Sequence, residues 1–273
     1  MVDMSQGTGS DLVIDVGTHN GQDSDFYLKL GYRVVAIEAN PALVEKLQER
    51  FSEEIAQGRM TLVNKAISEQ PGQITFYVNR RLSEWGTTDP AWAERNRGKG
   101  AESDEITVES IPFSDVLSEY GCPHYVKIDI EGADMICIEH LKTLDERPEY
   151  VSIESNKVSW AGLLAEFDAF ARLGYDRFKV VDQRKHGSGR YRTRNGAEID
   201  YRFEKGASGP FGENLPGPWL DREEALRHYR KIFLTYRLMG DNTLLERLLK
   251  KSARGRRLLN RVSWYDTHAK LSA

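Results

Sequence analysis

The sequence has only two cysteines, Cys122 and Cys137, and lacks any long hydrophobic run. Two isolated cysteines cannot build a disulfide framework or a zinc knuckle, so we expect both to be reduced, small apolar residues. No stretch approaches the ~20 consecutive apolar residues that a membrane helix needs, and the first nine residues lack the apolar core of a signal peptide. We therefore expect a cytoplasmic protein without a membrane span.

An excess of charge of one sign is also missing from the chain as a whole. Among 273 residues, 38 Lys and Arg oppose 42 Asp and Glu, and 40% of the residues are hydrophobic, which is typical of soluble folded proteins. The distribution is uneven, because residues 222–273 hold 13 Lys and Arg against 5 Asp and Glu. This basic end could dock on the acidic remainder of the chain or bind an anionic partner.

Short apolar runs alternate with amphipathic runs from residue 12 to about residue 181, which is the pattern of parallel strands connected by helices. The short runs are apolar at successive positions, as expected when both faces of a sheet are covered. They predict strands at Leu12–Val16, Val34–Glu38, Met60–Val63, Tyr125–Ile130, Tyr150–Glu154 and Phe178–Val181. Apolar residues at helical spacing predict helices at Asp23–Leu30, after an N-cap at Asn40, and at Phe113–Tyr120, Ala133–Leu144 and Trp160–Leu173.

Two polar stretches, 80–104 and 182–220, interrupt the alternation. The first is flanked by strand-like runs at Gln73–Val78 and Glu105–Ser110. Loops this long inside a compact domain are functional or disordered. We expect one α/β domain over residues 1–220 with insertions at these two stretches. Residues 221–273 are expected to form a basic helical extension packed on it, with helices after Asp221 and Asp241 whose apolar faces could instead pair two chains.

The turn after the first predicted strand carries the features of a cofactor site. Gly17 and Gly21 permit a sharp turn and a close approach to a ligand, and the following helix offers its N-terminus to an anion. Asp15, at the end of the strand, suits a cationic ligand better than a pyrophosphate. Glu38 ends the second predicted strand, where a carboxylate can accept hydrogen bonds from both ribose hydroxyls.

Adenosine with a charged amino-acid end fits these demands, which indicates S-adenosylmethionine as the cofactor. The dinucleotide pattern G-x-G-x-x-G is missing, and this argues against a nicotinamide dehydrogenase. A simpler alternative remains at this point: the two glycines only shape a tight turn, and Glu38 only caps a helix.

Four segments, DVGTHNGQDS, AIEANP, NKAIS and YVKIDIEGAD, resemble the FkbM family of S-adenosylmethionine-dependent methyltransferases over about residues 11–155. The resemblance implies a class I, Rossmann-like fold: a mostly parallel seven-stranded sheet that ends in an antiparallel strand, with helices on both faces. It implies methyl transfer to a hydroxyl of a sugar, glycan or secondary metabolite. The cofactor-binding residues that it implies are Asp15, Gly17, Gly21, Ser24, Glu38, Asn40, Lys65, Ala66 and Asp129. His19 departs from the family, many of whose members have a small or apolar residue there.

Acidic side chains at the ends of the fourth and fifth predicted strands are the candidates for chemistry. Lys127, Asp129 and Glu131 alternate along one strand, so they point to one side, and Glu154 ends the next. Charged residues in strands this apolar need a partner or a function. We therefore predict catalytic roles for these four residues and for His19, a candidate general base, although Lys127 could instead form a buried structural ion pair.

Three further interpretations follow from single features. Glu154, with Asn156 and an acid of the preceding strand, could bind Mg²⁺, but no dense ligand cluster is visible and a divalent metal is not favoured. His268, beside Asp266, is another possible general base. Trp85 and Trp92 could form walls for a sugar or another flat acceptor, or only anchor their loop.

Two other functions compete with O-methylation. A nucleic-acid methyltransferase could grip phosphates with the basic C-terminal helices, but the net charge of −4 and the lack of an RNA-binding module argue against it. A non-catalytic protein could retain the cofactor fold as a scaffold. Three acids at one edge of the sheet argue against this alternative, because a site that has lost its catalytic function need not retain them.

Overall fold

The computed structural model describes residues 10–82, 85–98, 100–156, 159–204, 206–239, 252 and 264–272. The strands in this part of the chain are β1 (Leu12–Val16), β2 (Arg33–Ile37), β3 (Met60–Val63), β4 (Ala66–Ile67), β5 (Gly72–Asn79), β6 (Ser103–Ile111), β7 (Tyr125–Ile128), β8 (Tyr150–Glu154), β9 (Tyr175–Asp182), β10 (Ser188–Arg192), β11 (Glu198–Arg202) and β12 (Tyr265–Leu271). The helices are α1 (Gln22–Lys29), α2 (Pro41–Arg50), α3 (Ser52–Ala56), α4 (Pro90–Gly98), α5 (Phe113–Tyr120), α6 (Asp134–His140), α7 (Trp160–Arg172) and α8 (Arg222–Met239).

Seven strands form the central sheet, in the order β3-β2-β1-β7-β8-β12-β9. The pairs from β3 to β8 are parallel, whereas β12 is antiparallel to both of its neighbours. The predicted seven-stranded, mostly parallel sheet is therefore confirmed. The antiparallel strand is not at the edge, as the resemblance implied, but one position inside it.

The elements follow from local signals in the sequence. Each residue of β1 is buried: four are apolar, and the fifth, Asp15, has its carboxylate paired within the fold. Helix α2 begins as predicted: the side chain of Asn40 accepts a hydrogen bond from the N–H of Ala42 at 3.1 Å, and Pro41 occupies the first turn, where its missing N–H costs no hydrogen bond.

Two apolar clusters cover the two faces of the sheet. One joins the sheet to α5, α6, α7 and α8, through residues such as Phe113, Phe167 and Tyr229. The other joins it to α1 and α2, and also to the segment 199–219, where the ring of Phe211 stacks on that of Tyr125 with centroids 4.1 Å apart. The second insertion thus covers part of a face that the sequence analysis assigned to helices alone.

Both predicted insertions contain regular structure. The first includes α4 and links to β5 through a bridge between Tyr77 and Thr87, and the flanking strands are confirmed as β5 and β6. These two strands and β4 form a small separate sheet, and the second insertion carries the hairpin β10–β11.

The chain's basic end is only partly helical. Helix α8 matches the expected helix after Asp221, but residues 265–271 form β12 instead of belonging to a helical extension, so they are part of the same sheet. The helix expected after Asp241 lies outside the described residues. None of the described helices is both long and apolar enough to cross a membrane.

Candidate functional site

The turn between β1 and α1 is shaped by two glycines with positive φ. Gly17 has φ 80°, and an added Cβ would lie 2.0 Å from the backbone oxygen of Asp129, so only glycine fits between the strands here. Gly21 has φ 77°, and its Cβ would overlap the side chains of Phe51 and Leu47. Gly17 therefore lies at the carboxyl end of β1, an inner strand of the sheet. Gly21 allows the turn to pack on α2 and does not line the cleft described below.

Asp15 is the centre of a buried polar cluster beneath this turn. Its Oδ2 atom accepts hydrogen bonds from the hydroxyls of Ser24 at 2.6 Å and Thr18 at 2.9 Å. Its Oδ1 atom lies 3.3 Å from Nζ of Lys127, its register partner on β7. These contacts hold the Asp15 carboxylate in the cluster beneath the turn, and neither Asp15 nor Ser24 lines the cleft described below; their contact with the cofactor stays a prediction.

Lys127 joins the same cluster. Its Nζ donates to the backbone oxygen of Gly17 at 2.9 Å and lies 3.7 Å from Oδ2 of Asp129. Burial alone would lower the pKa of this ammonium, but the carboxylates of Asp15 and Asp129 outweigh burial and hold the pKa above its ordinary value. A permanently charged, ion-paired lysine cannot act as a base, so the structural alternative describes Lys127 better than a catalytic role.

Glu38 follows β2 with its side chain 7% exposed. Its carboxylate accepts the backbone N–H groups of His19 at 2.9 Å and Asn40 at 2.8 Å. Burial raises the pKa of Glu38 to about 7, although the two N–H donors oppose the shift. Asn40 contributes its backbone here and uses its side chain as the α2 cap, so it supports Glu38 and does not line the cleft.

Gly17, Glu38 and Lys127 border a cleft with about 840 Å³ of empty space, open solvent included. One end is apolar, because Ala66 and Phe76 pack in one cluster with Ala39. The other end is polar. The predicted site residues that line the cleft are Gly17, His19, Glu38, Lys65, Ala66, Lys127 and Asp129. The lining residues that were not predicted from the sequence are Thr18, Asn20, Gln22, Asp23, Ile37, Ala39, Ile67, Phe76, Gly86, Thr88, Ile130 and Gly206.

The second insertion reaches this cleft through Asp23. The Asp23 carboxylate accepts the backbone N–H groups of Ser208 at 3.0 Å and Gly209 at 3.1 Å, which places Gly206 in the cleft wall. Burial raises the pKa of Asp23 to about 6. No local sequence signal identifies this contact, because the partners lie 185 and 186 positions apart.

The chemistry of the cleft fits S-adenosylmethionine. An apolar end suits a flat base, and the Glu38 carboxylate beside it can accept ribose hydroxyls. The polar end carries Asp129, whose side chain is 31% exposed and can receive an ammonium group, and it lies near the N-terminus of α1. The cofactor would thus be held by Glu38, Lys65, Ala66 and Asp129, together with the backbone around Gly17.

A second, much smaller cavity lies next to the cleft, with room for about one water molecule between its walls; we call it the tryptophan cavity. Its lining residues are Trp85, Trp92, Arg95, Asn96, Glu131, Glu154 and Trp264. It borders the cleft because Gly86 and Ile130, the chain neighbours of Trp85 and Glu131, line the cleft. Trp264 was not predicted, since its partners are distant in sequence.

Contacts between the first insertion and the end of β7 build this cavity. The hydroxyl of Thr87 donates to the backbone oxygen of Glu131 at 2.6 Å. Trp92 packs on Gly132, where an added Cβ would lie 2.6 Å from the indole ring. Glu131 itself has φ 49°, an uncommon backbone conformation for a residue other than glycine. The insertion is therefore held against the sheet at the point where Glu131 emerges.

Glu131 and Glu154 are brought together, as predicted. Burial raises the pKa of Glu131, and the carboxylates of Glu154, Asp129 and Asp134 raise it further, while the Arg95 guanidinium opposes them.

Two other interpretations of the sequence concern a metal site and His268 as a general base. In the part of the chain that the structure describes, no three His, Cys, Asp or Glu side chains converge as a metal site. His268 is 1% exposed within β12, and burial lowers its pKa to about 3, so it is not placed to act as a base in the cleft.

A family model matches more than half of the chain, and several solved structures are similar to it. The model of the methyltransferase FkbM domain matches residues 15–177. No curated protein is similar enough to be matched. Among solved structures, the chain is similar to an FkbM methyltransferase from Methylobacillus flagellatus KT, with 14% identity and a TM-score of 0.43. The similar region covers 73% of this chain and 45% of the other protein's chain. The chain is also similar to a precorrin-6y C5,15-methyltransferase from Geobacter metallireducens GS-15 (12%, TM-score 0.38), covering 72% and 78%.

The family match includes the elements that build the cleft, from Asp15 at the end of β1 to the residues that follow β8. It spans more than half of the chain and includes Glu38, Asp129 and both glutamates of the tryptophan cavity. This chain therefore belongs to the FkbM family of S-adenosylmethionine-dependent methyltransferases.

Proposed function

We propose that this chain transfers a methyl group from S-adenosylmethionine to a hydroxyl group of a sugar, glycan or secondary metabolite. When bound, the cofactor supplies an electrophilic methyl group on a sulfonium centre. Glu38 accepts hydrogen bonds from the ribose hydroxyls, Lys65 and Ala66 lie beside the adenine, and Asp129 receives the ammonium group. Lys127 and Asp15 hold the turn and strand ends in place for these contacts.

The tryptophan cavity is the observation that carries the choice of acceptor. It borders the cofactor cleft at Ile130 and Gly86, so a group held in it lies next to the cofactor. Indole rings offer flat apolar surfaces to the face of a sugar ring, and carboxylate oxygens accept hydrogen bonds from hydroxyl groups. Walls that combine both suit a compact, hydroxylated acceptor, for which the cavity must widen, because it has room for about one water molecule in the ligand-free chain.

Glu131 and Glu154 supply the base. Burial raises the pKa of Glu131, and the carboxylates of Glu154, Asp129 and Asp134 raise it further. The ionised form of Glu131 would therefore be a stronger base than an exposed glutamate for the proton that the acceptor hydroxyl loses. The cavity walls hold the acceptor oxygen in line with the methyl group, which is the main requirement of a displacement reaction.

The experiment is an incubation of the purified protein with a trideuteromethyl-labelled donor and a panel of sugars, glycans and hydroxylated metabolites, followed by mass spectrometry. We expect label on oxygen in at least one product and less of it with Asp129→Asn, which retains the shape of the side chain. Label on nitrogen or carbon only, or on an added oligonucleotide only, would contradict the proposal.

A further inference from the structure

We propose that the exposed side of helix α8 docks on an anionic lipid membrane surface. This side, which we call the basic leucine face, is formed by Arg227, Arg230, Lys231, Leu234, Arg237 and Leu238. The inference goes beyond the proposed function and does not rest on it, because it concerns the surface to which the protein binds and not the group that it methylates.

Two leucines give this face its apolar surface. Leu234 is 60% exposed and Leu238 54%, and no other large apolar residue in the described part of the chain is exposed to this extent. The two lie four positions apart, so they are neighbours on one face of the helix. The opposite side of α8 already packs on the core through Tyr229 and Phe233. The leucines therefore point outward from a helix that is held by its other side, as expected of a surface that meets a partner.

Cations surround the two leucines. Arg230 and Arg237 lie about one turn before and after Leu234, and Lys231 lies on the same exposed side. Residues 225–239 contain no Asp or Glu, so the helix carries no acid of its own beside these cations. A partner of negative charge is therefore complementary to this face.

Acids from neighbouring positions act on the start of the helix. Among the described residues, Glu223 and Glu224 lie 3.8 and 3.9 Å from the guanidinium of Arg227, and Asp168 of α7 pairs with Arg222. These contacts reduce the positive charge of the first turns of α8. The positive charge is thus concentrated in the later turns, which also carry the exposed leucines.

An anionic membrane is the partner that uses both features. A second copy of this chain, paired face to face about a two-fold axis, would bring the same cations against each other. A nucleic acid would neutralise the cations but would leave the leucines without an apolar partner. Anionic headgroups attract the cations, and the boundary with the acyl chains receives the leucines, as for amphipathic helices that lie in a membrane surface.

The basic leucine face and the cofactor cleft use different parts of the sheet. Helix α8 contacts β9, the last strand in the sheet order, whereas Gly17 and Glu38 of the cleft follow β1 and β2. Changes on the exposed side of α8 should therefore leave cofactor binding unchanged, and this provides an independent check that a variant is folded.

The test is co-sedimentation of the full chain with two kinds of vesicle, one of phosphatidylcholine alone and one of phosphatidylcholine mixed with phosphatidylglycerol. We expect binding to the mixed vesicles to be at least about tenfold tighter and to weaken as the salt concentration rises. Two double variants, Leu234→Ser with Leu238→Ser and Arg230→Gln with Lys231→Gln, should each lower binding to the mixed vesicles at least about tenfold.

Lys46→Gln with Lys142→Gln is the matched control, because it removes two exposed charges from other elements and should bind vesicles as the wild type does. All three variants should keep the wild-type affinity for S-adenosylhomocysteine. Equal binding to the two kinds of vesicle, wild-type vesicle binding by the leucine variant, or binding to an added RNA but not to vesicles would overturn the inference. A dimer that the leucine variant dissociates, or a lower free energy of unfolding in that variant, would also overturn it, because the leucines would then face a second copy or the chain itself.

Discussion

Cofactor binding should depend on pH through Glu38. Burial raises the pKa of this carboxyl from 4.5 to about 7 in the ligand-free protein. The ribose hydroxyls donate hydrogen bonds, so they require the ionised form. If the protonated form does not bind, the dissociation constant at pH 6 should be about tenfold higher than its plateau above pH 8, since one pH unit corresponds to about 1.4 kcal/mol.

The stability of the ligand-free protein should change in the opposite direction. Because the folded-state pKa of Glu38 lies above the unfolded value, this group favours folding fully below pH 4.5, and its contribution is lost as the pH rises through 7. The shift from 4.5 to about 7 corresponds to about 3 kcal/mol. Rising pH should therefore lower the free energy of unfolding while it strengthens cofactor binding. Unspecific unfolding at low pH would not produce this combination.

The assay is isothermal titration calorimetry with S-adenosylhomocysteine, with chemical denaturation at each pH. Glu38→Gln keeps the size of the side chain and removes the titration, so its affinity should be at least about tenfold lower at pH 8 and should not follow the same pH curve. Glu49→Gln is the control. A flat pH profile in the wild type, together with unchanged affinity in Glu38→Gln, would refute the assignment of Glu38 to the ribose.

Three further predictions concern the frame of the site. Gly17→Ala should lose at least about 3 kcal/mol of unfolding free energy, because the added Cβ meets backbone atoms. Gly31 also has a positive φ but has open space around it, so Gly31→Ala should lose only about 1–2 kcal/mol in the same denaturation assay. Equal losses in the two variants would contradict the argument. Asp129→Asn should weaken S-adenosylhomocysteine binding and slow methyl transfer, because it removes the carboxylate proposed to receive the ammonium group; wild-type affinity and turnover would contradict that assignment. Asp23→Ala leaves the N–H groups of Ser208 and Gly209 without their carboxylate, so limited proteolysis should cut the surrounding segment faster and cofactor affinity should fall; unchanged cleavage would show that this contact does not hold the insertion.

The elements predicted from sequence are those specified by neighbouring residues. Asn40 and Pro41 fix the start of α2 through one side-chain hydrogen bond and one preset φ, and the buried run of β1 needs no partner to be recognised. Glu38 was placed correctly because the end of a parallel strand faces the ligand crevice wherever the rest of the chain goes.

The errors concern contacts between distant residues. Asp15 stands at the right strand end, but the direction of its carboxylate depends on Lys127, 112 positions away, and on Ser24. β12 was missed because its buried residues are polar: Asp266 accepts from Gln183, and Thr267 bonds to Ser155 and Tyr229. Hydropathy does not identify a strand in which three consecutive buried residues, Asp266, Thr267 and His268, are polar.

Residues beyond the family match complete the walls of the site. The core matched by the family model, residues 15–177, supplies Glu38, Asp129, Glu131 and Glu154. Gly206, in the wall of the cofactor cleft, and Trp264, in the wall of the tryptophan cavity, both lie beyond it. Family membership therefore accounts for the methyl donor and the acids. The shape and charge that an acceptor meets depend on parts of this chain outside the match, and an acceptor inferred from the core alone would leave out the indole ring of Trp264.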